Sequence, residues 1–358
     1  MSTMHEHDGF MIYGAYGYTG ELIARRCAAR GLRPVLCGRD ATRLGALADA
    51  LGLPARPCAL EDPRLAEALH DIQLVLHCAG PFSSTAQPML AATLSAGAHY
   101  LDITGEVAVF ELAQGLDARA REGGVVVCPG VGFDVVPTDC VAMTLAAAMP
   151  SATHLSLAFD SRSSLSPGTT RTSIEGVAAG GRARVDGKLV REPLAHRTRQ
   201  IDFGTGEKLT MAITWGDLVT ASHSTAIPNI DVYVPISPGA LKRLRQLRPL
   251  GPLLHLPGAL WLAKELAGRQ ARGPDADARA THATTLWGEV VDERTGECKV
   301  ARLTTANGYE VTVEAALAIA RHVLEGNCAG GYHTPGQLMG ADFVSSLPGS
   351  SAIAVSDG

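Results

Sequence analysis

The chain has 358 residues, 46% hydrophobic and 19% charged, with a formal net charge of −5 at pH 7. This length accommodates two domains, the apolar share fits a large buried core, and the mild negative charge gives no electrostatic basis for binding nucleic acid. Eight scattered cysteines without a C-x-x-C pair read as reduced core residues of a cytoplasmic protein. Residues 1–8 are polar and acidic, lack the basic start and apolar run of a signal peptide, and read as a flexible tail.

The first predicted strand, Phe10-Met11-Ile12-Tyr13, leads into Gly14-Ala15-Tyr16-Gly17-Tyr18-Thr19-Gly20. A helix follows, with Leu22, Ile23, Arg26 and Cys27 at helical spacing. Glycines here let the backbone turn tightly and approach a pyrophosphate, which the helix N-terminus attracts through its N–H groups and dipole. The spacing is G-x-x-G-x-x-G. A second strand over 33–39 ends in Gly38-Arg39. That position meets the adenine ribose in a dinucleotide fold, and an arginine there accommodates a 2′-phosphate, so the cofactor expected is NADP. Asp40 is a competing acid or, ahead of Leu44, Leu47, Ala48 and Leu51, a helix N-cap. Arg43 is a second phosphate candidate.

Strands over 55–59 and 72–78 flank a short helix over 62–70. The second of these strands, continuously apolar, suits a parallel sheet covered on both faces. It breaks at Ala79-Gly80-Pro81-Phe82, either a ligand approach at a strand's carboxyl end or an ordinary turn. Helices over 85–96 and 107–121, the segment His99 to Glu106 and a strand over 125–128 complete a doubly wound α/β domain, placed at residues 9–150. Two stretches carry acids at strand ends, Asp102-x-x-Gly105-Glu106 and Gly132-Phe133-Asp134-x-x-Pro137-x-Asp139. Glu106 and Asp139 read as acids complementing helix N-termini, whereas Asp102 and Asp134 are the main polar candidates at the nicotinamide end of a bound cofactor.

The combination of Gly14 to Gly20, Cys37-Gly38-Arg39, Ala79-Gly80-Pro81-Phe82 and the two acid-bearing stretches resembles the saccharopine dehydrogenase-like oxidoreductases, and more narrowly their trans-acting enoyl reductase branch. Gly168-Thr169-Thr170-Arg171-Thr172, Trp215-Gly216-Asp217, Ser224 to Ile230 and Thr334-Pro335 are similar to that branch as well. The resemblance implies an NADP-dependent oxidoreductase with a second, mixed α/β substrate domain, associated with lipid or polyketide assembly. It implies hydride transfer to the β-carbon of an enoyl thioester lying between the domains. Such a reaction needs a donor for the enolate oxygen and a proton for the α-carbon. Tyr100, Asp102, Thr104 and Asp134 are the candidates for these polar roles. The cofactor would contact Gly14, Tyr16, Gly17, Tyr18, Thr19, Gly20, Arg39, Ala79, Gly80, Pro81, Phe82, Gly132 and Phe133. A saccharopine- or opine-type C=N reductase, with Arg171, Arg182 and Arg184 as carboxylate clamps, and an NADPH-binding accessory protein without chemistry of its own are the alternatives.

From residue 151 the pattern changes to strands separated by long polar loops, a second domain reaching to 310. Strands are predicted over 154–159, 209–215, 231–236, 284–292 and 299–306. The stretch 160–172 is an anion-binding or a solvated loop, with Arg171, Thr172 and Trp215 as substrate-binding candidates. His154, His196 and His223 lack partners at metal-ligand spacing, so no metal is expected. In 241–266 a basic face (Lys242, Arg243, Arg245, Arg248) runs into leucines and Trp261, broken by Pro252 and Pro257. It is too interrupted for a membrane span and reads as a buried or subunit-interface helix pair, as in a homodimer, a lid, or a membrane-surface or synthase contact. Residues 269–279 read as a polar linker. A helix over 311–324 is expected to lean on the cofactor domain, which 311–343 completes, and 344–358 to form a flexible tail.

Overall fold

The computed structural model describes residues 9–161, 164, 166–248 and 258–358. The tail expected over 1–8 and the middle of the 241–266 segment lie outside them. In chain order the elements begin with β1 (Phe10–Tyr13), α1 (Tyr18–Ala29), β2 (Val35–Gly38), α2 (Ala41–Leu51), β3 (Ala55–Pro57), β4 (Leu74–His77), α3 (Phe82–Ala96), β5 (His99–Asp102), α4 (Val107–Gln114), α5 (Asp117–Glu122) and β6 (Val126–Cys128). They continue with α6 (Val136–Ala148), β7 (His154–Ser161), α7 (Pro167–Ala179), β8 (Gly181–Val185), β9 (Lys188–Glu192), β10 (Thr198–Asp202), β11 (Glu207–Ile213), α8 (Asp217–Thr225), β12 (Asn229–Pro235), α9 (Pro238–Leu247), α10 (Ala259–Gln270), α11 (Ala276–Thr281), β13 (Thr284–Asp292), β14 (Glu297–Thr305), α12 (Gly308–Leu324), β15 (Gly331–Tyr332) and β16 (Ala354–Asp357).

The chain folds into two units, residues 9–133 with 312–338, and 134–311 with 339–358. In the first, the sheet runs β3-β2-β1-β4-β5-β6-β15 with every pair parallel. This is the doubly wound order, reversing direction between β1 and β4, extended by one strand. β1, β2 and β4 are buried at every residue, which explains their unbroken apolar runs. β15 returns to the β6 edge, where Asp117 accepts from the Tyr332 amide at 2.8 Å. α12 leans on this unit as expected: Glu314 pairs with Arg26 and, at 2.7 Å, with Arg30 of α1.

The second unit holds a mixed sheet, β10-β11-β12-β7-β13-β14-β16, with the β8–β9 hairpin branching from β12. Its β12–β7 pair is parallel and the others antiparallel. α6, expected within the cofactor domain, belongs here: it packs on α8, β13 and β14. Gly288 of β13 permits the approach, because a Cβ there would lie 2.5 Å from the Val141 side chain. The hairpin turns at Asp186-Gly187, both at positive φ, a hairpin signal not used in the predicted strands above.

Three expectations are corrected. Residues 167–172 are the start of α7 rather than a loop. The linker expected over 269–279 is mostly helical, shared between α10 and α11. The flexible tail expected over 344–358 is ordered: a 3₁₀ turn at Phe343–Ser346 buries Phe343 and Val344, and β16 pairs antiparallel with β14, Asp357 meeting Lys299 at 2.8 Å. A four-residue strand whose partner lies about 55 residues away leaves no local signature.

Candidate functional site

A parallel sheet delivers all its carboxyl ends to one edge, so the turns after β1, β2, β4, β5 and β6 share it. The glycine turn comes first. Gly14 has φ +82°, and a Cβ on it would lie 2.8 Å from the Ala79 backbone and side chain. Its amide and that of Ala15 donate to the Cys37 carbonyl at 2.9 and 3.1 Å. Gly20 is excluded from substitution by a different contact, since its Cβ would lie 2.3 Å from the Gly14 oxygen. Gly17 occupies the N-cap of α1 and makes no side-chain cap. The N-terminal amides and dipole of a twelve-residue helix thus face the turn behind an N-cap that has no side chain, which fits a pyrophosphate.

At the end of β2, Asp40 resolves as the N-cap of α2, accepting from the Arg43 amide at 3.0 Å. Tyr16 lies across Gly38, where a Cβ would meet its ring at 2.5 Å, and its hydroxyl accepts from the Asp40 amide at 3.1 Å. The Arg43 guanidinium stacks on the same ring, 4.6 Å from its centroid. Arg39 is exposed and makes no hydrogen bond or ion pair among the described residues. A phosphate monoester at this strand end would therefore meet an uncommitted guanidinium beside a second one held by stacking.

The turn after β4 is braced by a residue that pattern reading overlooked. His77, fully buried, sets its Nε2 3.0 Å from the Thr85 hydroxyl, which donates to the carbonyls of Ala79 and Pro81 at 2.7 and 3.1 Å. Burial pushes the imidazole down to about 3, so it is neutral. The signal available was a histidine ending an otherwise apolar strand, with a threonine in the first turn of the next helix. Glu106 is also reassigned. Its carboxylate accepts from the amides of Phe82 and Ser83, at 2.8 and 2.6 Å, and so caps α3 rather than the first turn of α4.

Asp102 is buried and holds three donors: the Tyr100 hydroxyl at 2.7 Å and the amides of Thr104 and Gly130 at 2.9 Å. Burial pushes its carboxyl up to about 6, and these donors oppose the shift. Tyr100 and Thr104 are likewise fully buried, and Thr104 Oγ1 accepts from the Glu106 amide at 3.0 Å. The three form one network tying the β5 turn to the β6 turn. Gly132 and Phe133 rest on α12: a Cβ at Gly132 would lie 2.9 Å from Thr312, whose hydroxyl accepts from the Phe133 amide at 3.0 Å.

Asp134, Arg171, Thr172 and Trp215 belong to the second unit. Trp215 donates its indole N–H to the Asp134 carbonyl at 2.7 Å and tilts against Phe159, ring centroids 5.3 Å apart. Arg171 does not join them. It pairs with Glu265 of α10 at 3.5 Å and lies against Gly268. Thr172 follows it on α7. Among the described residues no cluster of three metal-ligating side chains occurs, and no helix is long and apolar enough to cross a membrane.

Beside Trp215, Asp217 is completely buried at the α6–α8 contact, its oxygens short of well-placed donors and the Thr138 hydroxyl a weak polar neighbour. Burial raises its carboxyl well above the usual range, and the negative charge of Asp139, which accepts from Ser224 at 2.7 Å, adds to the effect. The folded state therefore keeps a proton that the unfolded chain releases. Stability from this group is present below the unfolded value, near 3.8, and declines above it by up to about 1.4 kcal/mol per pH unit until the folded group itself ionises. Asp217→Asn is expected to flatten the pH dependence and unfold at higher urea than the parent at pH 8. Urea titrations from pH 5 to 9 check this, and parallel curves for the two proteins would contradict it.

Fold and glycine turn together define a Rossmann-type dinucleotide-binding protein. Residues 10–128 match the saccharopine dehydrogenase NADP binding domain. The first unit therefore carries an NADP-binding domain of the saccharopine dehydrogenase type. It is similar to a trans-acting enoyl reductase of Mycobacterium tuberculosis, 33% identical over 148 residues that make up 39% of this chain and 35% of the relative. A trans-acting enoyl reductase of Mycobacterium ulcerans is 31% identical over the same shares. The chain thus spans about a third of the length of these curated relatives. In fold it resembles apo saccharopine dehydrogenase (L-Glu forming) of Saccharomyces cerevisiae, with a TM-score of 0.67 over 98% of this chain and 99% of that one at 12% identity.

Proposed function

We propose that the protein is a cytoplasmic NADPH-dependent oxidoreductase that reduces the C=C bond of an enoyl thioester in lipid or polyketide metabolism. The similarity of 39% of the chain to trans-acting enoyl reductases carries this reading. NADPH, when bound, supplies the hydride. The chain's own residues do the rest. The first turn of α1 and the Gly14–Gly20 backbone bind the pyrophosphate, Arg39 with Arg43 takes the 2′-phosphate, and Tyr16 walls the adenosine end. The Ala79–Phe82 turn, fixed by His77 and Thr85, and the Gly132–Phe133 turn position the nicotinamide end.

Of the four residues predicted to be catalytic, Tyr100, Asp102 and Thr104 are sealed from solvent, which suits positioning of the β5 and β6 turns rather than contact with substrate. Asp134 alone retains exposure, which favours it for proton delivery. The C=N alternative is weakened because two of its three guanidinium clamps are committed elsewhere. Arg171 pairs with Glu265, and Arg184 donates to the carbonyls of Leu218 and Gly187.

Incubation of the protein with NADPH and a panel of enoyl thioesters, followed by absorbance loss of the reduced nicotinamide, tests the proposal. Turnover with at least one thioester is expected, and none with a 2-oxo acid plus amine. The reverse pattern would establish the C=N reading. Tight NADPH binding without any turnover would establish the accessory one.

A further inference from the structure

Residues 238–272 are electrostatically unlike the rest of the chain. They hold seven cations against Glu265 alone, a net charge of +6, whereas the whole chain carries −5. Lys242, Arg243 and Arg272 are exposed and make no ion pair among the described residues.

α10 adds an apolar face to this basic segment. Its inner side is fixed to α7: Lys264 pairs with Glu175, Glu265 with Arg171, and Gly268 makes room for the Arg171 guanidinium. It also exposes Trp261, Leu262 and Leu266, at 67%, 50% and 54%. Three of the five large hydrophobic residues exposed among the described residues thus lie on one helix. Scattered apolar residues need no explanation, but an exposed tryptophan and two exposed leucines close together on one helix, in a strongly basic stretch of an acidic protein, are not scattered.

We infer that α10 and the cations that flank it in sequence dock the protein on an anionic lipid surface, with Trp261, Leu262 and Leu266 entering the headgroup boundary and Lys242, Arg243 and Arg272 meeting lipid phosphates. Charge complementarity selects this occupant: cations that flank an indole and two leucines in sequence match the polar and apolar layers of an anionic bilayer. The apolar face is too small to anchor the protein alone, so binding depends on both components and weakens with salt. The inference stands independently of the reaction proposed above.

The full chain, incubated with vesicles of phosphatidylglycerol and phosphatidylcholine or of phosphatidylcholine alone, is expected to sediment with the first and not the second. Trp261 reports insertion because Trp287 is buried and Trp215 packs against Phe159. Its emission shifts to the blue with anionic vesicles and not in Trp261→Ser. The doubles Leu262→Glu/Leu266→Glu and Lys242→Glu/Arg243→Glu alter only exposed or partly exposed positions and should each lower the vesicle partition coefficient at least about tenfold. Equal binding to both vesicle types, no binding to either, or unchanged binding by both doubles would overturn the inference. Light scattering covers the competing occupant: a parent dimer that Leu262→Glu/Leu266→Glu converts to monomer would assign the face to a second copy of the chain and overturn it.

Discussion

Gly20→Ala is expected to weaken NADPH binding by about 10- to 100-fold. The added Cβ would sit 2.3 Å from the Gly14 oxygen, 3.0 Å from its carbonyl carbon and 3.1 Å from the Ala15 Cα. All three are backbone atoms, so the clash cannot be relieved by turning a side chain. Either the turn opens or α1 slides away from β1, and both displace the amides that face the phosphate. Overpacking of this kind costs about 1–3 kcal/mol, which converts to the stated loss. A fluorescence titration with NADPH measures it. Gly45→Ala in α2 is the control, because nothing lies within 4 Å of its Cβ position, and there affinity should not change. Wild-type affinity in Gly20→Ala would refute the assignment of this turn to the pyrophosphate.

Arg39→Asp is expected to reverse cofactor preference. A guanidinium donating to a phosphate contributes about 1.5–3 kcal/mol through charge-assisted hydrogen bonds, and a carboxylate in its place repels the phosphate while accepting from a free 2′-hydroxyl. The dissociation constant for NADPH should rise about 10- to 100-fold while that for NADH stays level or falls. Titration of both cofactors against parent and variant gives the ratio. Equal losses for NADPH and NADH would show that Arg39 does not meet the 2′-phosphate, leaving Arg43 as the residue to test.

The cofactor unit was legible because its information is local. Phe10 to Gly20 carries strand, turn and helix within a dozen residues, and Arg39 closes the next strand. What escaped depends on contacts between distant segments. Asp102 draws attention as an acid at a strand end, yet its role emerges only when the Gly130 amide, 28 residues on, is found pointing at it. Glu106 was correctly read as an acid complementing a helix dipole, but the helix is the one that begins 24 residues earlier. Asp217 stood in a noticed Trp-Gly-Asp triplet and gave no hint of its burial, which α6 imposes. In the second unit the longer strands are readable from alternation, whereas β16 depends on a partner its own sequence does not specify; the β8–β9 hairpin does carry a local signal, the Asp186-Gly187 turn that joins its strands.

The capping of α3 by Glu106 has a consequence for how a cofactor finds its register. A parallel α/β sheet presents several helix N-termini along the same edge, and each is in principle a receptor for the same dianion. In this protein the N-terminus of α3 already holds a carboxylate on its first two amides, a tethered anion at high effective concentration that a diffusing phosphate must displace. The N-terminus of α1, headed by Gly17, carries no such occupant. Competition within the chain thus removes one of these landing places and favours α1 as the address from which the rest of the dinucleotide is measured out.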